Sequence, residues 1–197
     1  MIDKILLDLE NEGITCVPNL LDEKDLEMAR HFFELKKIDF NPAKVGLENK
    51  KQRVESIRGD FSYWLDPLDP PIELLPLFKI LDNLRQSVNA RFYLGLQDYE
   101  CHLAYYPEGT FYQKHLDRFE KDSSRKLTFI IYLNQIWLPE FGGELVVYNK
   151  DGSIKSTYLP LPGTFICFLS EEFPHEVTIA TQERRSFTGW MHTKKIY

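Results

Sequence analysis

The sequence predicts an α+β, mainly β fold: a sandwich or jelly roll with N-terminal flanking helices packed on one outer face. Two amphipathic helical patterns precede residue 95, and six short runs rich in β-branched and aromatic residues lie beyond about Tyr99. Pro, Gly, Asn and Asp separate those runs, as expected where strands are joined by turns. At 197 residues the chain is long enough for one domain with a sizeable core and rather short for two. We read residues 1–197 as a single domain, with helical support over 1–95 and a β core from about 96 to 197.

Taken in order, Asp22 can cap a helix over DEKDLEMARHFFELKKI, in which Leu26, Ala29 and Phe33 fall on one face and a lysine pair suits the C-terminal end. A second helix follows the proline-rich LDPLDPP, with Leu74, Leu77, Phe78, Leu81, Leu84 and Val88 spaced by three and four residues. Pro76 is tolerated because it falls in the first turn. The strand candidates are YECHLAYY, KLTFIIYL, GELVVY, TFICFL, HEVTIA and RSFTGWMH. Between the helices, residues 41–58 carry Lys44, Lys50, Lys51, Arg53 and Arg58 against Glu48 and Glu55, a basic stretch in an acidic chain. A loop of this length is either a solvated surface segment or a lid over a substrate.

Composition excludes several classes. With 24 basic and 30 acidic side chains the formal charge is −6, so the surface should repel nucleic acid and anionic lipid. No stretch reaches the length of a membrane span, and MIDKILLDLENEG is too acidic and too weakly apolar for a signal peptide. A cytoplasmic location is expected. Cys16, Cys101 and Cys167 form no CxxC pair and read as buried free thiols.

The chemistry concentrates in YQKHLDRF, FPHEV and the closing strand. Alternate strand residues share a face, so His115 and Asp117 are expected to project together, and His175, after a turn at Phe173-Pro174, is the best third member. Two imidazoles and one carboxylate hold a ferrous ion on one face and leave the other open. An HxD pair alone arises often by chance. His31, His102 and His192 lack a partner at this spacing and are not assigned to the metal. Arg184 adds a second feature. Alternation puts Arg184, Ser186, Thr188 and Trp190 on one face; if that face is interior, a buried guanidinium requires an anion, and no acidic residue of the strand supplies it. A small dicarboxylate would. The reversed phase, with Arg185 inside, is the alternative, and the bulk of Trp190 argues against it.

These residues resemble the Fe(II)- and 2-oxoglutarate-dependent prolyl hydroxylases, among them the oxygen-sensing HIF prolyl hydroxylases and their bacterial relatives. The resemblance spans roughly Ile57 to His192 and rests on IRGDFSYW, YYPEGTFYQKHLDRF, LTFIIYLN with Trp137, FGGEL, LSEEFPHEV and RRSFTGW. It implies a double-stranded β-helix, with iron held by His115, Asp117 and His175. Arg184, assisted by Tyr132 and Thr188, would take the distal carboxylate of 2-oxoglutarate, with Tyr106 near the other end of that cosubstrate. Tyr112 would line the pocket mouth, Arg125 would contact a protein substrate, and Trp190 would border its prolyl ring. Arg58 and Asp60 match a pair that links the mobile loop to the core. The implied cosubstrates are 2-oxoglutarate and O2, with ascorbate as reductant, and the implied partner is a proline-containing protein such as elongation factor Tu. The N-terminal extensions of the animal enzymes are missing, and residues 41–56 have no detailed match. A 2-oxoglutarate oxygenase acting on a free amino acid or small molecule, or a non-catalytic sensor of iron and 2-oxoglutarate, are the competing expectations.

Overall fold

The computed structural model describes residues 1–43, 57–117 and 124–194. In chain order it has α1 (Ile2–Glu12), β1 (Ile14–Val17), α2 (Glu23–Lys36), β2 (Asn41–Pro42), β3 (Phe61–Leu65), α3 (Leu75–Phe92) and β4 (Asp98–Tyr106). There follow β5 (Tyr112–His115), β6 (Arg125–Tyr132), β7 (Leu145–Tyr148), β8 (Ile154–Tyr158), β9 (Phe165–Leu169), β10 (His175–Val177) and β11 (Arg184–His192). The strands form a seven-stranded sheet, β1-β9-β6-β11-β4-β3-β2, and a four-stranded sheet, β5-β10-β7-β8. Neighbours in both sheets run antiparallel, the jelly-roll arrangement anticipated above.

Local chemistry accounts for the two helices read from the sequence. The Asp22 side chain accepts a hydrogen bond from the Asp25 amide at 2.8 Å, satisfying a free donor at the start of α2. Leu26, Ala29 and Phe33 are buried beneath it. In α3 Pro76 sits in the first turn, and Leu77, Phe78, Leu81, Leu84 and Val88 face inward.

The larger sheet is apolar on both faces, and each face has a different partner. Alternate residues Leu103, Phe129, Phe187 and Met191 pack with the helical side chains in one core. The opposite phase, including Ile130, Tyr132, Ile166 and Phe168, packs against Leu145 and Val147 of the smaller sheet. Each fully buried Leu or Phe contributes about 1.5–3 kcal/mol, so both interfaces hold the sheet in place. Tyr132, singled out from the sequence, sits at this inter-sheet interface.

The first third is less purely helical than its pattern suggests. It contributes β1 and β3, which pair with β9 and β4, and the short β2 on the edge. Ile14–Val17 is four residues long with only one position left partly exposed, so no polar–apolar alternation marks it as a strand. The polar IKSTY of β8 was hidden for the opposite reason, because it lies at the edge of the small sheet. The three cysteines are free thiols; Cys101 and Cys167 are buried, and Cys16 is half-buried.

Gly189 shows how tightly β11 is set between β4 and β6. A Cβ there would collide with the Glu100 carbonyl oxygen and come within 2.5 Å of the Phe129 ring and 2.9 Å of Cys101 Cβ. We expect Gly189→Ala to destabilise the fold by about 2–3 kcal/mol through overpacking. Urea unfolding measures this, and a change within about 0.5 kcal/mol would contradict the packing.

Candidate active site

The candidate metal-binding set is assembled by strand register. His175 opens β10 and lies directly opposite His115, which closes β5. Their ring centroids are 4.4 Å apart. Asp117 follows two residues later, in a bend beyond the end of β5 rather than within the strand. His115 and Asp117 therefore come together although they do not both lie in the strand, as alternation alone would require. Leu116 leaves the strand, and the carboxylate is aimed by an added contact, because Thr128 Oγ1 on β6 donates to Asp117 Oδ2 at 2.8 Å. Asp117 Oδ1 is 3.4 Å from His115 Nε2, and Oδ2 is 3.5 Å from His175 Nε2. One ligand atom from each residue lies within 4.8 Å of the others, and among the described residues no other group of three His, Cys, Asp or Glu does so.

Both imidazoles are fixed in a ligating tautomer. His115 Nδ1 is 2.7 Å from the Gln113 carbonyl oxygen, and His175 Nδ1 is 3.0 Å from that of Phe173. Carbonyls only accept, so each Nδ1 carries a proton and each Nε2 is turned toward Asp117. Burial pushes the His175 imidazole down to about 4, against the opposing charge of Asp117, which keeps the ring neutral at pH 7. Burial favours the neutral form of Asp117, but His175 and His115 outweigh it and hold the carboxyl well below the usual range. The set suits a divalent cation of intermediate softness such as Fe(II).

Arg184 lies on the inner face, 2% exposed, and Arg185 points to the helices, where it pairs with Glu34 of α2 and with Glu183. This settles the phase of β11. Arg184 Nε donates to the Gly143 carbonyl at 2.9 Å, and its guanidinium stands 4.9 Å and 5.0 Å from the ring centroids of Tyr132 and Tyr106. It makes no ion pair with a described residue. The buried Tyr132 hydroxyl next to it has no hydrogen-bond partner among the described residues. A fork of donors and a buried hydroxyl without a partner among the described residues are groups that could hold a carboxylate. Gly143, in the FGGEL turn, has φ +69, and a Cβ there would press on Trp137, Ala180 and Arg184. Thr188 is on the same face as Arg184, its hydroxyl 3.1 Å from that of Ser186.

The remaining predicted residues surround this set. Tyr112 stacks on His115 at 3.7 Å, and Arg58 lies 4.2 Å over the Tyr112 ring while binding Asp60 through two hydrogen bonds of 2.6 and 2.5 Å. The lid expected over 41–60 falls largely on 44–56, which lie outside the described residues. Arg125 rests 3.8 Å from the Trp190 ring centroid, binds Glu100 at 2.5 and 3.0 Å and reaches the Asp117 carbonyl at 3.3 Å. It is thus part of the wall of the site.

Sequence reasoning missed Thr128, which orients Asp117, and Glu100, which holds both Arg125 and, at 3.1 Å, His192. Glu100 and His102 are in phase with Tyr106 along YECHLAYY, so alternation carried the signal. Burial raises the Glu100 pKa, but the His192 contact and the Arg125 charge outweigh it and bring it down to about 2 from an ordinary 4.5. A depressed carboxylate stabilises the fold above its unfolded pKa, and this is lost as pH falls through the folded value. We expect Glu100→Gln to be less stable than wild type at pH 7 by about 1–3 kcal/mol, with the gap closing between pH 4.5 and 2. Unfolding curves across that interval measure it, and a gap independent of pH would contradict the pairing.

Comparison with known proteins agrees with this geometry. The family model of the 2OG-Fe(II) oxygenase superfamily matches residues 101–192, the stretch that holds all three metal-binding residues and Arg184. A prolyl-4-hydroxylase from Pseudomonas putida is 34% identical over 99% of this chain and 100% of its own, with a TM-score of 0.88. A prolyl hydroxylase from Trichoplax adhaerens, solved with a hypoxia inducible factor peptide fragment, shares the fold at 24% identity and a TM-score of 0.82, over 98% of this chain and 89% of that one. A viral collagen prolyl hydroxylase from Paramecium Bursaria Chlorella virus-1, in complex with 2OG, does so at 18% identity and 0.65, over 94% and 98%. The metal set, the cationic carboxylate pocket and this full-length likeness lead to one conclusion: the chain belongs to the 2OG-Fe(II) oxygenase superfamily and uses Fe(II), 2-oxoglutarate and O2.

Proposed function

We propose that the protein is a prolyl hydroxylase acting on a proline within a protein, its residues 1–197 working as one dioxygenase domain. The observation that carries the reading is the pairing of the His115, Asp117 and His175 set with a buried Arg184 that has no acidic partner among the described residues. The likeness to the Pseudomonas putida prolyl-4-hydroxylase over its whole length supports proline as the target. The peptide held by the Trichoplax adhaerens enzyme supports a polypeptide substrate.

In this reading His115, Asp117 and His175 hold the iron, and Arg184 with Tyr132 and Thr188 fixes the far carboxylate of 2-oxoglutarate, Tyr106 lying beside it. Iron held there would supply the oxidative decarboxylation of 2-oxoglutarate by O2, with succinate, carbon dioxide and a hydroxylated substrate as products. The chain supplies orientation and exclusion of water. Tyr112, Arg125 and Trp190 line the substrate side, and Arg58 with Asp60 braces Tyr112 against His115. Trp64, 49% exposed, extends that aromatic side to the surface, which suits an extended peptide better than a buried small molecule. Elongation factor Tu, by analogy with bacterial relatives, is the first protein to assay. The net acidic charge of −6 favours a protein over nucleic acid as substrate and fits a cytoplasmic enzyme, with ascorbate as its reductant.

Arg184→Ala should weaken 2-oxoglutarate binding in the anaerobic Fe(II) complex by about 100-fold, the loss of a bidentate charge-assisted contact. Wild type exposed to O2 should form succinate in step with a gain of one oxygen on proline in a substrate protein. Unchanged affinity in the variant would contradict the cosubstrate pocket. Succinate release stimulated only by free amino acids would favour the small-molecule oxygenase, and ligand binding without any turnover a sensor.

A further inference from the structure

A cluster of aromatic rings adjoins the metal site on three neighbouring strands of the large sheet. Trp64 of β3 and His102 of β4 are cross-strand partners with ring centroids 4.8 Å apart. His102 stacks on Trp190 of β11 at 5.5 Å and 27°. Trp64 is half-exposed whereas His102 is 4% exposed, so the cluster runs from the surface into the site. By strand alternation His102 shares the inner face with Tyr106, which borders the Arg184 pocket.

Two polar atoms on the stacked rings of this cluster have no partner among the described residues. His102 Nδ1 and Trp190 Nε1 are buried, and neither has a hydrogen-bond partner among the described residues. Each such group costs about 1–3 kcal/mol when it is left unmet. Burial, reinforced by the nearby charge of Arg58, pushes the His102 imidazole down to about 4, so at neutral pH the ring is uncharged. An uncharged imidazole has one accepting nitrogen, and an indole N–H only donates. An acceptor and a donor on stacked rings match the N–H and C=O that one residue of an extended chain presents along a single edge, the pair that antiparallel strands exchange.

We propose that His102 and Trp190 form a main-chain clamp for the substrate, with Nδ1 accepting from the amide N–H and Nε1 donating to the carbonyl of one residue beside the target proline. Proline has no amide hydrogen, so the clamped residue is a neighbour of the one that is oxidised. His102 is then a specificity-determining residue that selects polypeptide over free amino acid. This inference rests on the prolyl hydroxylase reading above.

The test compares His102→Leu, His102→Asn and His102→Gln, using a proline-containing peptide that wild type turns over and versions of it N-methylated at either neighbouring residue. An asparagine amide reaches the position of Nδ1, and a glutamine amide that of Nε2. His102→Leu should raise the peptide KM about tenfold, leaving 2-oxoglutarate affinity and peptide-independent 2-oxoglutarate turnover unchanged and the melting temperature no lower than wild type. Asparagine should restore most of the affinity and glutamine little. N-methylation at one neighbour should cost wild type a similar factor and His102→Leu nothing further. An unchanged KM in His102→Leu, an equal N-methyl penalty in both proteins, or loss of folding or 2-oxoglutarate binding in His102→Leu would overturn the clamp alone. Wild type that binds Fe(II) and 2-oxoglutarate but turns over no peptide would overturn the functional reading and the clamp with it.

Discussion

A guanidinium held inside a protein without a carboxylate beside it is costly, and the architecture here is organised around one. Arg184 is among the largest fully buried side chains; its Nε donates to the Gly143 carbonyl, and the rings of Tyr106 and Tyr132 flank its guanidinium. Removing such an ion from water costs several kcal/mol even after relaxation. Rigid packing has to bear that cost. The helical core on one side of β11 and the small sheet on the other bury the arginine, so its guanidinium is held in place by the packing around it.

The metal set depends on the same rigidity. Register between β5 and β10 brings His115 and His175 together from positions sixty residues apart in sequence, and backbone carbonyls fix which nitrogen of each ring can ligate. Asp117, past the strand end, owes its orientation to Thr128 on the larger sheet, so one ligand bridges the two sheets. On the outer side the Asp60, Arg58, Tyr112 and His115 contacts form a continuous brace from a buried carboxylate to a metal-binding ring. The chain uses a few tightly made polar contacts to position groups that its apolar cores could only approximate.

Much of this was legible in the sequence, for reasons that can be assigned. Period-two alternation in RRSFTGWMH separated Arg184 from Arg185, and the structure puts Arg184 inside and Arg185 in ion pairs with Glu34 and Glu183. The three- and four-residue spacing of α3 and the Asp22 cap of α2 were equally plain. What could not be read was anything fixed by long-range pairing. The strand character of Ile14–Val17 comes from β9, more than a hundred residues away, and nothing within those four residues announces it. Thr128 looks like any strand threonine until the fold brings Asp117 to it. His102 lacks a carboxylate at metal-binding spacing and Glu100 belongs to no motif, so nothing local marks a carboxylate that orients an arginine or a ring that stacks on a tryptophan.

The claim that Arg184 is buried in readiness for a carboxylate has a signature in the unliganded protein. A charge already well compensated destabilises the fold when it is replaced, whereas one awaiting its counter-ion is neutral or favourable to replace with an apolar chain of similar length. The most direct measurement is therefore equilibrium unfolding of wild type and Arg184→Met, with and without 2-oxoglutarate, under anaerobic Fe(II). The variant without ligand is expected to be at least as stable as wild type, and 2-oxoglutarate at about ten times its wild-type Kd is expected to stabilise wild type alone. A variant several kcal/mol less stable without ligand, yet still stabilised by 2-oxoglutarate, would show that Arg184 serves the fold and that the cosubstrate is held elsewhere.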